Sequence, residues 1–425
     1  MNYPKVLVIA NQSFSLTNSN GRTLGGFFIG WPKEKLAQFC IGTEGPNFEI
    51  CDNYYCITDR SMLNACLHFR KPARQILNPD IQMGHLKNTR SVRKSAFVSL
   101  VRYFIWMSRK WNNKDLNQWL QDFNPDIILF QSGDTTFMLD IALEISKKRQ
   151  IPLVVFNTEA NYFFKHNYFS KGICDFLFFP LYHTLYKRKY RELMRNVKFS
   201  IYGNELLKQD YEKEFGGKSI VLYTSSTLSN NNAPFNKEHP KFSYLGNLGI
   251  DRPAALMEVG DILQSINPCY HLDVYGKADS QVEQKFRNCK GIVYHGFVAY
   301  QDVVQIMNSS EVLFHVEGQS ERWQECLRYG FSTKIADSLA SGKSFVLYSS
   351  LDIACARYIK ETGAGWFASN RKELEKVLKE IIFNKSEREK RLKKAHEIVL
   401  NNHSVEINRE RFFSCISEVA KHSIM

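Results

Sequence analysis

Ser332, Thr333 and Lys334 are the residues whose types and spacing best suit a chemical role, because they mark the start of a helix that can bind an anion. Ser and Thr are favoured at helix N-caps, and apolar residues recur behind them at helical spacing until Gly342. The first backbone amides of a helix have no partner within it and lie at the positive end of its dipole. Together with the Lys334 ammonium, these amides suit a diphosphate.

Asp337 lies one turn further along the same helix. Its carboxylate can accept hydrogen bonds from the vicinal hydroxyls of a ribose next to that diphosphate. An ordinary amphipathic helix with solvated Lys334 and Asp337 would show the same pattern, so the interpretation needs support from other parts of the chain.

Segments rich in β-branched and aromatic residues alternate with helical patterns, such as the helix predicted over Phe137–Arg149, which indicates parallel sheets covered by helices. The predicted fold class is therefore α/β, with two Rossmann-like domains facing a cleft. We predict strands at Val6–Ala10, Ile127–Gln131, Leu153–Asn157, Phe199–Tyr202, Phe242–Gly246, His271–Tyr275, Ile292–His295, Val312–Val316 and Phe345–Tyr348.

Length and composition favour two domains, because 425 residues exceed what one typical core contains. Residues 224–240 are dominated by Ser, Thr, Asn and Pro, and we place the junction there. The predicted domains are residues 1–225 and 226–400, followed by a helix over residues 401–425 that can pack back on the first domain.

Ligands of parallel α/β sheets bind at the carboxyl ends of the strands, so the loops after the predicted strands are candidate sites. In the first half, the candidates for contacting an acceptor are Gly21, Arg22, Asp134 and Asn157, and Glu159 is a candidate base. Plain turns and helix caps explain these residues equally well. The dinucleotide fingerprint Gly-x-Gly-x-x-Gly is absent after the first strand.

In the second half, glycines and one arginine follow the predicted strands. Gly246 and Asn247 precede Arg252, whose guanidinium matches the geometry of a diphosphate. Gly276 with Lys277, and Phe297 after the next strand, can form walls for a nucleobase, although each is also a common residue at a strand end.

The net charge of +13 is concentrated in the first half, where residues 1–200 contain 27 Lys and Arg against 15 Asp and Glu. The basic residues are interleaved with large aromatics, from Arg90 to Trp111 and from Phe163 to Arg195. This pattern favours contact with anionic lipid, with a merely solvated basic face and nucleic acid as the alternatives. The aromatics expected at headgroup depth are Trp106, Trp111, Phe178, Phe179 and Tyr182.

Location follows from several absences in the sequence. The chain starts with a short strand rather than a signal peptide, and its apolar runs are too short to cross a bilayer. Ten scattered cysteines lack the Cys-x-x-Cys spacing of zinc sites or a disulfide framework. We expect a cytoplasmic protein on the inner face of the cell membrane.

Four motifs in the second half resemble those of the family 4 retaining glycosyltransferases, which have the GT-B fold, and are most similar to members that build bacterial capsule or lipopolysaccharide chains. The motifs are Tyr244-Leu245-Gly246-Asn247-Leu248 with Arg252, Tyr275-Gly276, His295-Gly296-Phe297, and Gly330-Phe331-Ser332-Thr333-Lys334-Ile335-Ala336-Asp337 with Gly342-Lys343. The resemblance covers roughly residues 240–370 and extends to the first half only in outline.

The resemblance implies roles for particular residues. Asn247 and Arg252 occupy the places of the family's two diphosphate-binding cations, so one charge is kept and Lys334 can supply the other. Asp337 occupies the place of the second of two glutamates, which holds the donor ribose, and Tyr329 replaces the first. Glu325, one helical turn earlier, is a candidate substitute.

The resemblance also implies transfer of a sugar from a nucleotide-sugar, with retention of configuration and no cofactor. No Asp-x-Asp motif is present to hold a metal ion. The expected partners are a nucleotide-sugar, a lipid-linked saccharide and an anionic membrane surface, and no nucleic acid. A nucleotide-sugar epimerase of the same fold, and a catalytically weak carbohydrate-binding partner in a synthase complex, are the alternatives.

Overall fold

The chain forms two compact units in a computed structural model that describes residues 2–15, 19–42, 46–74, 95–170, 172–229 and 234–421. Unit 1 contains the chain up to Tyr223 and again from Asn408, and unit 2 contains Thr224–Ile407. The division falls two residues before the junction predicted at 225, and the returning segment begins at Asn408 rather than at 401.

Unit 1 is built on a seven-stranded sheet whose strands all pair in parallel. The strand order is β3-β2-β1-β4-β5-β6-β7, so the order reverses between β1 and β4. The strands are β1 (Val6–Ala10), β2 (Leu36–Cys40), β3 (Tyr54–Cys56), β4 (Ile127–Ser132), β5 (Leu153–Asn157), β6 (Val197–Tyr202) and β7 (Ser219–Val221).

Helices cover this sheet, and several begin at a capping side chain. Thr58, Asn113 and Asn204 each accept a hydrogen bond from the amide three residues further on. The helices are α1 (Ser19–Phe27), α2 (Asp59–Leu67), α3 (Ala96–Met107), α4 (Lys114–Phe123), α5 (Thr136–Arg149), α6 (Ile173–Met194) and α7 (Glu205–Phe215).

Unit 2 is built on a six-stranded sheet, also parallel throughout, with the order β10-β9-β8-β11-β12-β13. Its strands are β8 (Phe242–Leu245), β9 (Leu272–Tyr275), β10 (Ile292–Gly296), β11 (Val312–Val316), β12 (Ser344–Tyr348) and β13 (Trp366–Ala368). Its helices are α8 (Arg252–Ile266), α9 (Ser280–Arg287), α10 (Tyr300–Ser309), α11 (Glu321–Leu327), α12 (Thr333–Ala340), α13 (Ala354–Thr362), α14 (Arg371–Phe383) and α15 (Lys385–Ile398), before the π-helix Val399–His403.

A last helix, α16 (Val405–Lys421), lies in unit 1 from Asn408 onwards. Its Phe412 is completely buried, and the ring stacks on Phe27 at 5.3 Å between centroids and meets Phe28 edge-on at 5.0 Å. This aromatic cluster attaches the returning segment to α1 and to the sheet of unit 1.

The predicted α/β fold class is confirmed, since all nine predicted strands are present with ends within two residues of the prediction. The prediction omitted β2, β3, β7 and β13, three of which contain only three residues. Strands this short leave little periodicity to detect.

The prediction of aromatics at headgroup depth was wrong for the two tryptophans. Trp106 and Trp111 are buried, at 1% and 3% exposure, and the Trp106 ring stacks on Phe137 at 4.3 Å between centroids. Phe178, Phe179 and Tyr182 are half-buried, and the basic residues 90–94 lie outside the described part. No helix among the described residues has both the length and the apolar character that crossing a membrane requires.

We predict that Phe412→Ala lowers the free energy of unfolding of unit 1 by about 3–5 kcal/mol, because it leaves a cavity between α16 and α1. Hydrogen exchange of the β1 amides measures the change. Phe383→Ala is the matched control, since this ring is 62% exposed in unit 2. Equal β1 protection in both variants would show that the aromatic cluster does not hold the returning segment.

Candidate functional site

The strand order of unit 2 reverses between β8 and β11, and ligands of open α/β sheets bind at such a reversal. The loops that leave these two strands meet at the carboxyl edge of the sheet, at Gly246 and Glu317 respectively. The sequence resemblance identified four motifs. Three of them lie in the loops that follow β8, β9 and β10, which are on one side of this reversal.

Glycines let the loops at this edge approach closely. A Cβ atom on Gly276 would lie 2.1 Å from the carbonyl oxygen of Gly246, and one on Gly318 would lie 2.2 Å from that of Ile250. Ile250 and Asp251 have positive φ angles of 63° and 56°, which is rare for a β-branched residue such as Ile250. The loop between β8 and α8 is therefore held in a sharply bent path by its neighbours.

Arg252 and Glu317 form a buried ion pair across the reversal, with exposed fractions of only 9% and 5%. Nε and Nη2 of Arg252 donate to Oε2 of Glu317 at 3.0 and 2.6 Å, and Nε also reaches the Val316 carbonyl at 3.1 Å. We expected Arg252 to offer its charge to a diphosphate. In the structure most of its donors are already used by Glu317 and by the backbone.

His315 completes this network, with Nε2 lying 2.8 Å from Oε1 of Glu317. Burial alone would raise the pKa of Glu317, but the charges and hydrogen bonds of His315 and Arg252 lower it below its ordinary value. Among the described residues, His315, Glu317 and Cys355 also place ligating atoms within 4.8 Å of one another. The guanidinium of Arg252 on the same carboxylate opposes a metal ion there.

Lys334 is the second cation of the site, near the start of α12. Ser332 caps this helix and its Oγ accepts from the Lys334 amide at 3.4 Å, which matches the predicted helix start. The Lys334 ammonium lies against Gly246, only 3.0 Å from where a Cβ of that residue would be. This contact joins α12 to the loop after β8.

Lys334 is exposed to solvent, yet surrounding protein and then the charge of Arg252 lower its pKa to about 8. Its ammonium forms no ion pair with a carboxylate in the described part of the chain, although Glu317 and Asp337 act on it at longer range. The charge of Lys334 is thus less compensated than that of Arg252.

Asp337 is buried on α12, with 7% exposure, and accepts a hydrogen bond from Ser226 at 2.7 Å. Part of its carboxylate is therefore used inside unit 2, and its contact with a ribose stays a prediction.

Three other residues predicted to bind the donor also lie in unit 2. Thr333 is the first residue of α12, and both Lys277 and Asn247 are exposed at the ends of β9 and β8.

The remaining residues predicted to bind the sugar donor lie on the surface of unit 2. Phe297 is 77% exposed after β10. Tyr329 is half-buried, with the guanidinium of Arg328 over its ring at 5.6 Å. Glu325 lies in α11, but this helix ends at Leu327, two residues before Tyr329, and the substitution of Glu325 for Tyr329 stays a prediction.

Two predictions in unit 1 need correction. Gly21 and Arg22 lie in the first turn of α1 rather than in a loop, and a Cβ on Gly21 would meet the Ser13 carbonyl at 2.8 Å, so this glycine serves packing. Arg22 is half-buried, and its contact with an acceptor stays a prediction. Asn157 is completely buried and accepts from the Tyr190 hydroxyl at 2.7 Å, so it offers no surface to an acceptor.

Asp134 and Glu159 remain accessible at the carboxyl ends of β4 and β5, which are neighbours in the sheet. The Asp134 carboxylate is half-buried, and Nδ2 of Asn11 donates to it at 3.5 Å. Glu159 is exposed and accepts from Nδ2 of Asn161 at 3.3 Å. Both fit the predicted acceptor side of unit 1.

The sequence interpretation missed Glu317, His315 and Ser226. Glu317 directly follows the correctly predicted strand Val312–Val316, so the rule that ligand sites lie at strand ends points to it. His315 lies inside that strand and Ser226 lies in the Ser-rich junction, where nothing in the sequence marks a partner for Asp337.

Comparisons with known proteins agree with this fold. A family model described as glycosyl transferase-like matches residues 259–413. No curated protein matches this sequence. Solved structures match nearly all of the chain at low sequence identity, and they show that the chain has the two-domain GT-B fold.

Three of these structures show which kinds of protein share the fold. Anabaena HepE, solved in complex with UDP, is 14% identical, covers 97% of this chain and 100% of its own, and has a TM-score of 0.62. The lipopolysaccharide outer core galactosyltransferase WaaB is 12% identical, with coverage of 99% and 100% and a TM-score of 0.59. A Listeria monocytogenes protein assigned as a UDP-N-acetylglucosamine 2-epimerase is 14% identical, with coverage of 99% and 97% and a TM-score of 0.54.

We predict that Glu317→Gln lowers the free energy of unfolding of unit 2 by about 3–5 kcal/mol, because it leaves the buried Arg252 without a counter-charge. Urea unfolding monitored through hydrogen exchange of β11 measures the loss. Glu321→Gln, at an exposed glutamate of α11, is the control and should change little.

A double variant makes this test sharper. Arg252→Met combined with Glu317→Leu removes both charges, so it should recover much of the stability lost in Glu317→Gln. A single variant as stable as the wild type would contradict the importance of the ion pair.

Proposed function

We propose that this chain is a glycosyltransferase that moves a sugar from a nucleotide-sugar donor bound in unit 2 to a saccharide acceptor. The observation that carries the proposal is the Lys334 ammonium against Gly246, beside the α12 helix start and at the reversal of strand order. A diphosphate is the anion that suits a lysine and the positive end of a helix dipole together.

In the proposed reaction the bond between the anomeric carbon and the donor phosphate oxygen breaks, and a bond from that carbon to an acceptor hydroxyl oxygen forms. Negative charge develops on the leaving diphosphate, where Lys334 and the α12 amides would stabilise it. These groups would act without a metal ion. The acceptor hydroxyl loses its proton, and we assign Glu159, the exposed carboxylate after β5, to this hydroxyl as its base or hydrogen-bond acceptor.

The finer parts of the proposal rest on the sequence resemblance. They are retention of configuration, transfer of a hexose, and a lipid-linked acceptor in capsule or O-antigen synthesis at the cytoplasmic face of the membrane. The match to WaaB, a lipopolysaccharide galactosyltransferase, supports this direction at the level of the fold alone. The basic excess of residues 1–200 supports an anionic membrane surface as a partner.

Two other functions have an observation in their favour. The match to a protein assigned as an epimerase favours a nucleotide-sugar epimerase, which would consume its donor without any acceptor. Tyr329 in place of the family's first glutamate favours a weak enzyme or a carbohydrate-binding partner, which would bind nucleotide-sugars without turnover. Product analysis with and without a saccharide acceptor separates the three.

We predict that one class among UDP-, GDP-, CMP- and dTDP-sugars raises the melting temperature of the wild type, because a ligand of the folded state stabilises it. Lys334→Ala should weaken that binding by ~1.5–3 kcal/mol through loss of a charge-assisted contact. Lys360→Ala, at an exposed lysine of α13, is the control. A ligand that binds Lys334→Ala and the wild type equally would remove Lys334 from the site.

We also predict that nucleotide-sugar affinity decreases as the pH rises through about 8, the pKa of Lys334 in the free protein. A bound diphosphate favours the charged lysine and raises its pKa, so binding takes up a proton above that pH and none below it. Isothermal titration between about pH 7 and pH 9 measures the effect.

Lys334→Arg is the matched control for the pH dependence, because a guanidinium stays charged over the whole range. Its affinity should stay flat with pH. A wild type whose affinity is equally flat would show that Lys334 does not face the diphosphate.

A further inference from the structure

Unit 1 exposes apolar side chains on two neighbouring helices, where a soluble surface would normally be polar. We call them the apolar patch; its members are Phe97, Val101 and Phe104 of α3 and Phe176, Leu177 and Leu181 of α6, with exposed fractions of 48%, 42%, 64%, 82%, 60% and 62%. Single exposed apolar residues are ordinary, but a contiguous group of this size marks an interaction surface.

The spacing of the patch residues on α3 explains why these three side chains share one surface. Phe97, Val101 and Phe104 lie four and three residues apart, so they form one stripe of α3, while Tyr103 and Trp106 on another face are buried. The patch is therefore the outer side of a helix whose inner side packs on the unit.

The two helices are attached to each other at their first turns, which makes the two stripes continuous. Asp175 at the start of α6 accepts a hydrogen bond from the Ala96 amide at the start of α3, at 2.6 Å. The rings of Phe97 and Phe178 lie 5.1 Å apart. Further along, Tyr103 of α3 and Lys189 of α6 both contact Asp140 of α5, at 3.3 and 2.9 Å.

The charges next to the patch are mostly positive, although Arg102, Arg109, Lys189 and Arg191 pair with Asp59, Glu144, Asp140 and Glu214. Residues 95–110 and 165–191, which contain the patch, hold nine Lys and Arg and a single acidic residue, Asp175. Asp175 is buried, at 6% exposure, so it contributes little to the outer surface. Apolar side chains that can enter a bilayer interface, flanked by cations that can contact lipid phosphates, are the features of an interfacial membrane-binding surface.

We propose that the apolar patch docks the protein on a membrane containing anionic lipid, with the helices lying in the interface. The proposal rests on the proposed function in one respect: it names the surface by which a transferase with a lipid-linked acceptor would reach its substrate. A second copy of the chain fits the patch less well, because two faces with the same excess of positive charge repel each other.

The test is co-sedimentation of the full-length chain with vesicles of phosphatidylcholine alone and of phosphatidylcholine with about 30% phosphatidylglycerol. The wild type should bind the anionic vesicles at least about tenfold more tightly than the neutral ones, and less tightly at high salt. No binding to anionic vesicles would overturn the proposal.

Two variants test whether the apolar patch is the surface that binds the membrane. Phe104→Asp and Leu177→Asp, on α3 and α6, should each weaken binding to anionic vesicles by about tenfold or more, because they put a carboxylate at the lipid interface. Phe383→Asp is the control, an equally drastic change at a ring that is 62% exposed in unit 2, and should bind like the wild type. Patch variants that bind like the control would overturn the proposal.

Two further readouts keep the outcomes distinct. Sedimentation without lipid should give the same oligomeric state for the wild type and for Phe104→Asp. A wild-type dimer that is lost in Phe104→Asp would assign the patch to a second copy of the chain instead. Melting shifts with nucleotide-sugars should be the same in the wild type and both patch variants. A wild type that binds nucleotide-sugars but not anionic vesicles overturns only the docking surface, and a wild type that binds the vesicles but no nucleotide-sugar overturns only the proposed function.

Discussion

The ion pair of Arg252 and Glu317 is the interaction on which the arrangement of unit 2 depends. It joins the loops that leave β8 and β11, the two central strands where the order of the sheet reverses. Two charges buried in this way are stable only with good geometry and further hydrogen bonds, and His315 and the Val316 carbonyl supply these. The bent β8–α8 loop, with Ile250 and Asp251 at positive φ, connects Gly246 to Arg252.

The ion pair gives the two cations, Arg252 and Lys334, different roles. Arg252 is engaged by Glu317 and shapes the site, while Lys334 keeps a charge that a ligand can use. The positive charge of Arg252 also contributes to lowering the pKa of Lys334, after the larger effect of the protein that surrounds the ammonium. A bound diphosphate would reverse that effect, because its negative charge favours the protonated lysine.

Much of the framework could be predicted from the sequence, because parallel strands are continuous runs of buried β-branched and aromatic residues. The start of α12 was also predictable, since Ser332 is a favourable cap. The role of Arg252 was not, because its counter-charge Glu317 lies 65 residues away in sequence. For the same reason the burial of Trp106 by Phe137, and of Asn157 by Tyr190, could not be read from local patterns.

A crystal structure of the chain with bound UDP tests the central claim most directly. The account predicts a phosphate oxygen within hydrogen-bonding distance of the Lys334 ammonium and near the first amides of α12, with the pair of Arg252 and Glu317 unbroken. A diphosphate bound away from Lys334, or one that takes Arg252 from Glu317, would contradict the division of roles between the two cations.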